Sequence, residues 1–209
     1  MGRTYGRFEQ GNPEPRIKRR SRRLTKPQEF IRGLDAIYII ALLLTLYMLF
    51  FRVVVVVGPS MYDTLIHGDR VVLLSSLVYN DPKPGDIVVC SKESFEDGNC
   101  FVKRVIATEG QEVNIDFNTG VVYVDKEPIM EDYLYSQTFR DEGTKFPLVV
   151  APGYVFVMGD NRQNSLDSRS PKIGQVDKRQ IVGKALFILF PGDDEGREDL
   201  DLSRIGPVE

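Results

Sequence analysis

The sequence predicts a mainly β protein carrying one N-terminal membrane-spanning helix. Residues 36–51 read AIYIIALLLTLYMLFF, sixteen positions without a charge. Residues 1–33 carry ten Lys/Arg against three Glu, whereas positions 34–209 carry 17 basic and 27 acidic residues. After the apolar run, short β-branched segments alternate with Gly, Pro and Asn turns.

The net charge of −3 thus conceals a basic tail on an acidic body. Such a split suggests two environments for one chain. A basic arm fits nucleic acid or a membrane border. The apolar run that follows favours the membrane, and no companion basic, aromatic-rich domain points to nucleic acid. Sixteen helical residues rise about 24 Å, short of the roughly 30 Å hydrocarbon core. The span is therefore read as residues 34–52. Part of the valine run Val53–Val57 makes up the length, and Arg52 snorkels to the interface. A cleaved leader is the competing reading, but the run is long for one and no small-residue cleavage site follows it. The one-sided basic cluster places residues 1–33 in the cytoplasm as a disordered tail near anionic lipid, and everything after Arg52 outside. This describes a single-pass protein of the cell membrane with the bilayer as partner.

Residues 53–191 read as one β domain. Its expected strands are RVVLL (70–74), DIVVC (86–90), FVKRVIA (101–107), EVNID (112–116), GVVYV (120–124), YVFVM (154–158) and IVGKALFIL (181–189). Turn signals stand between them, such as Pro82-Lys83-Pro84-Gly85 and Asn118-Thr119-Gly120. Residues 192–209 are charged and poor in large apolar groups, so they are expected to fray. Cys90 and Cys100 lie at the ends of two expected strands. Outside the cytoplasm they could form a disulfide, and two buried free thiols are the equal alternative.

A single histidine, His67, excludes a multi-His metal site, and two isolated cysteines do not make a zinc site. No phosphate-binding loop or dinucleotide fingerprint appears. No metal or cofactor is implied. Chemistry would then rest on Ser, Lys, Asp/Glu or Tyr. Gly58-Pro59-Ser60-Met61 breaks the valine run and could present a hydroxyl on a turn. In Phe101-Val102-Lys103-Arg104-Val105-Ile106, alternation puts Lys103 on the face of Phe101 and Val105. That lysine is either solvated at an edge or desolvated. Burial would disfavour its ammonium, and a neutral amine could take the proton of a serine hydroxyl. A third polar segment, residues 159–169, follows the apolar YVFVM.

In this order the three segments resemble the bacterial type I signal peptidase family over roughly residues 36–191. Gly58, Ser60, Met61, Thr64, Leu65, Gly68 and Asp69 fit the first motif, with Asp63 where the family usually has Pro. Lys103, Arg104, Val105 and Ile106 match the second. The family then continues Gly-x-Pro-Gly-Asp, where this chain reads Ala107-Thr108-Glu109-Gly110-Gln111. The third, Gly159-Asp160-Asn161-Arg162-Gln163-Asn164-Ser165-Leu166-Asp167-Ser168-Arg169, is complete. Ser170-Pro171-Lys172-Ile173-Gly174 then carries extra residues.

The resemblance implies a signal-peptidase-like β catalytic domain and a membrane-bound serine endopeptidase. Its substrates would be secretory preproteins, from which it removes N-terminal signal peptides. It implies Ser60 as nucleophile and Lys103 as general base. Ser165 would hydrogen-bond and orient the lysine, with Asp160, Arg162, Asp167 and Arg169 holding the loop, and Arg104 flanking the base. Met61 would seat substrate and shield the lysine. The oxyanion would be met by the Ser60 N–H and a backbone group at Gly58, since Pro59 has no N–H. His67 reads as a surface residue rather than a rival base, and the protein as a monomer. Rivals are a self-cleaving repressor-type Ser–Lys protein, which lacks the anchor, an inactive β domain that binds exported chains, and a mitochondrial inner-membrane peptidase, a relative of the same mechanism.

Overall fold

The structure, a computed structural model, describes residues 2, 26–92, 100–193 and 201–208. Of the tail expected over residues 1–33, residues 1 and 3–25 lie outside them, and a helix begins inside its last eight positions. The chain divides into two compact units, Met1–Leu42 and Leu43–Glu209.

Helix α1 runs Lys26–Phe50, 25 residues, and its side chains are described from Leu34 onward. Among the described residues, no helix is long and apolar enough to cross a membrane. The helix ends two residues before the expected limit of the span. The valine run does not extend it. Phe51–Val55 form strand β1, paired antiparallel with β2 (Arg70–Ser75). Valine is stiff at χ1 and fits a pleated surface, and pairing with β2 gives the backbone partners a helix end lacks. Arg52 accordingly sits in a strand, opposite Leu73.

The remaining strands are β3 (Ile87–Ser91), β4 (Cys100–Thr108), β5 (Glu112–Asp116), β6 (Val121–Val124), β7 (Glu127–Pro128), β8 (Leu148–Val149), β9 (Tyr154–Met158), β10 (Val176–Asp177), β11 (Ile181–Phe190) and β12 (Gly206–Pro207). The expected mainly β architecture is present. The seven strands read from sequence appear as β2–β6, β9 and β11. The larger antiparallel sheet has the order β1-β2-β11-β3-β4-β9-β10, with β12 on β11; the smaller is β7-β6-β5-β8. The two-residue strands lack a periodic signal and form only through their partners.

Among the described residues, three apolar clusters form the core. One joins β1, β2, β3 and β11 around Leu65, Val71, Leu73 and Ile188. A second joins β3, β4 and β9 around Val88, Val105 and Val157. The third packs the smaller sheet on β9 around Val113, Val122 and Phe156. β4 is central, held by β3 on one edge and β9 on the other, with an irregularity between Val105 and Ala107. Residues 103–107 of β4 are buried on both faces, which suits a strand that holds Lys103 out of water.

The register of β3 and β4 settles the cysteines. Cys90 pairs with Phe101 and Cys100 with Ser91. The two thiols are one residue out of step, so they point to opposite faces of the pair. Both are free, Cys90 buried and Cys100 exposed. Of the stretch 192–209 expected to fray, residues 206–208 are instead paired, and 194–200 lie outside the described residues. Gly206 and Pro207 pair with Ile188 and Phe187, and Val208 N–H donates to Leu186 O at 3.0 Å.

Candidate active site

The segment after β1 turns sharply at Gly58, whose φ of +88° falls where glycine is favoured. The loop closes on itself: Val56 N–H donates to Asp69 O and Gly68 N–H to Val56 O, each at 2.9 Å. Ser60 is thereby carried on a short loop clamped at its base. Met61 and Leu65 are buried beneath it.

Lys103 enters from β4. Its Nζ donates to Ser60 Oγ at 2.8 Å and to Val102 O at 2.8 Å. The residue is 2 % exposed, with Phe101 and Val105 buried beside it and Nζ 5.7 Å from the Phe101 ring centre. Of the two sequence alternatives, the desolvated lysine is the one found. Burial lowers its pKa from 10.5 to about 8, against the opposing pull of the Asp167 and Asp160 carboxylates. Burial also pushes the neighbouring Cys90 thiol up to about 12, so Cys90 is neutral where Lys103 titrates.

The 159–169 segment packs behind this pair as a buried ionic frame. Asp160 takes a two-pronged contact from Arg104, Nε at 3.0 Å and Nη2 at 2.8 Å, and accepts from Thr64 Oγ1 at 2.6 Å. It thus joins the strand of the lysine to the loop of the serine. Arg104 also lies over the Tyr133 ring at 3.8 Å. Arg162 donates to Gly159 O at 2.9 Å and Thr138 Oγ1 at 2.7 Å, and pairs with Glu131. Burial alone would raise the Asp167 carboxyl, but Arg169, Gly159 N–H and Ser165 hold it below the usual carboxylate range. Arg169 Nη2 bridges Asp167 and Arg162 O, both at 2.8 Å. Asn161 ties this frame to the serine loop through Asn161 N–H to Ser60 O and Nδ2 to Pro59 O, each 3.1 Å. Every buried charge here is paired and further hydrogen-bonded, the condition for burying it at tolerable cost.

Two expected contacts differ. Ser165 Oγ donates to Asp167 Oδ2 at 2.8 Å, and the amine of Lys103 reaches Ser60 and Val102 O instead of Ser165. Ser165 therefore hydrogen-bonds the frame rather than the lysine. Asp167 is the stronger acceptor, being ionised and aligned two residues away. Of the backbone at Gly58, expected to supply a second oxyanion donor, the N–H donates to His67 Nδ1 at 3.3 Å. The Ser60 N–H donates to no group among the described residues. His67 is exposed as expected, and it braces the turn that carries Ser60.

The departures from the family motifs are absorbed locally. Asp63 is exposed. The turn after β4 is closed by Gln111, whose Oε1 accepts from Thr108 N–H at 2.9 Å, with Gly110 at φ +84°. In the inserted stretch, Ile173 and Gly174 N–H both donate back to Ser170 O, at 3.0 and 2.8 Å, and Ile173 is buried in the second cluster. Glu131, Thr138 and Tyr133 were not read from the sequence. Nothing in their spacing marks them, and they meet the frame only through folding.

A cavity of about 530 Å³ opens onto Ser60 and Lys103, walled by Val54–Val57, Phe101, Val102 and Leu166, with Cys100 at its edge.

The profile of the Signal peptidase, peptidase S26 family matches residues 29–190. The "Probable signal peptidase I-1" of Synechocystis sp. is 36 % identical over 184 residues, 83 % of this chain and 90 % of that protein. "Signal peptidase I" of Bacillus licheniformis is 32 % identical over 179 residues, 82 % of this chain and 92 % of its own. "Signal peptidase I T" of Bacillus subtilis is 35 % identical over 163 residues, 73 % and 82 %. With a buried lysine on a serine hydroxyl at its centre and that match across most of its length, the chain belongs to the signal peptidase family, peptidase S26.

Proposed function

We propose that this protein is a membrane-anchored serine endopeptidase that removes N-terminal signal peptides from exported preproteins. Ser60 is its nucleophile and Lys103 its general base. The observation that carries this is the 2.8 Å contact between Lys103 Nζ and Ser60 Oγ in a buried setting that lowers the lysine pKa to about 8.

The reaction is acyl transfer. Neutral Lys103 takes the hydroxyl proton as Ser60 Oγ bonds to the scissile carbonyl carbon. The ammonium then gives that proton to the leaving amine as the C–N bond breaks. Lys103, neutral again, activates a water that splits the ester and restores the serine. The Ser60 N–H is the available donor for the oxyanion. The valine-lined cavity suits short apolar side chains next to the cleaved bond. Asp160 and Asp167, with their arginines, are positioning residues that keep loop and strand in register.

The anchor reading rests on α1. Its 25 residues rise about 37 Å, but the uncharged part, residues 36–50, rises only about 22 Å, so an anchor would need its charged flanks to reach the interface. Ile37, Tyr38, Ile39, Ile40, Leu42 and Leu43 are exposed, an arrangement that water disfavours and lipid accepts. The basic residues before it favour a cytoplasmic N-terminus and an extracytoplasmic catalytic domain. The proposed preprotein would lie in the same bilayer by its own apolar segment. The deciding experiment is cleavage of a preprotein in detergent by wild type, Ser60→Ala and Lys103→Ala. Wild type should cut and both variants should be inactive; equal cleavage by all three would remove the dyad.

A further inference from the structure

The family match stops at residue 190, yet residues 201–208 return to the nucleophile loop. We infer that this C-terminal segment is a latch on that loop, with Arg204 as a positioning residue for Ser60. The inference rests on the Ser60–Lys103 reading.

Asp69 closes the loop and is 0 % exposed. Its Oδ1 accepts Gly192 N–H at 2.7 Å, and its Oδ2 accepts Ile66 N–H at 2.9 Å and Arg204 Nη2 at 3.0 Å. The same Nη2 donates to Thr64 O at 3.1 Å. Arg204 is the cation paired with a carboxylate that has left water. A buried charge stripped of its partner is costly, so the loop cannot keep this shape unchanged without it.

The contact reaches the dyad by a short route. Thr64, held at its carbonyl by Arg204, donates its hydroxyl to Asp160, and Asp160 grips Arg104, the strand neighbour of Lys103. Arg204 therefore braces the loop that carries the serine and, through Thr64, the frame beside the base. The arginine is itself held in place. Gly206 and Pro207 pair with β11, Asp201 accepts Ser203 N–H at 3.1 Å, and Val208 packs on the first apolar cluster. Next to it, a Cβ at Gly68 would come within 3.1 Å of Gly192 Cα. Backbone there lies against backbone, leaving the loop little room to relax.

The test uses the full chain in detergent, with preprotein cleavage and a thermal melt for each variant. Arg204→Met keeps the stem and removes the charge and both Nη2 contacts. It should lower kcat by about tenfold or more with KM within about twofold, in protein still folded at the assay temperature, because small misplacements of a nucleophile cost rate rather than binding. Arg204→Lys keeps the charge but not the fork, and should recover part of that loss. If the Met variant does not fold, the Lys variant decides: a reduced kcat supports the latch and a wild-type kcat overturns it. A folded Arg204→Met with wild-type kcat also overturns it. Ser60→Ala and Lys103→Ala run alongside. If either still cuts, the dyad reading has failed, whereas inactive dyad variants beside a fully active Arg204→Met mean that the latch alone has failed.

Discussion

At 2 % exposure, between Phe101 and Val105, the Lys103 ammonium has lost its hydration, and its pKa falls from 10.5 to about 8. That shift acts on stability as well as on chemistry. The folded state holds the proton less tightly than the unfolded chain, so the penalty is full below pH 8 and relieved toward 10.5. Lys103→Met lacks it. Its stability relative to wild type should be greatest below pH 8 and should fall by up to about 3 kcal/mol toward pH 10.5, measured by denaturant titration. A difference that does not change with pH would mean that the lysine is solvated. Gly159 is the other sensitive position. A Cβ there would lie 2.7 Å from Ser165 Cβ and against the Ser60 carbonyl oxygen. Gly159→Ala should cost about 1–3 kcal/mol of stability and about a hundredfold in kcat, by melting and preprotein cleavage. Ser60, Lys103 and the charged residues of 159–169 were legible because each stands in a compact segment. The partners Glu131, Thr138 and Arg204 were not, since contacts spanning 31, 24 and 135 positions leave no period in the sequence.

The strands of the larger sheet were readable wherever β-branched residues ran between turn signals, as in β2, β4 and β9. β1 was misassigned because a valine run beside an apolar helix satisfies both a span and a strand. Pairing with β2 decided it, and pairing is a long-range fact. The cysteines show the same limit. Their positions at the ends of neighbouring strands left a disulfide open, while a one-residue register in the β3–β4 pair excludes it. Thiol titration of the native protein should therefore find one reactive group, Cys100, and a second, Cys90, only on unfolding. Reducing agent should leave the melting temperature unchanged. A reductant-sensitive melt with no titratable thiol would contradict the register.

Across the whole chain, an apolar helix precedes a β domain in which Ser60 stands ten residues past the helix end at Phe50. The charge split between the N-terminal residues and the rest was plain in the sequence, and so was the order of the motifs. What could not be read was how the C-terminal residues close the fold. Removing residues 1–50 should release the protein from membranes on alkaline extraction while the intact chain stays bound; equal release of both would count against the anchor. The central claim is that a neutral, desolvated Lys103 activates Ser60. It is tested most directly by the pH dependence of kcat/KM for preprotein cleavage from pH 6 to 10. The rate should rise about tenfold per pH unit and level off near the lysine pKa of about 8. A profile that is flat or falls across pH 6 to 9, in protein that stays folded, would contradict it.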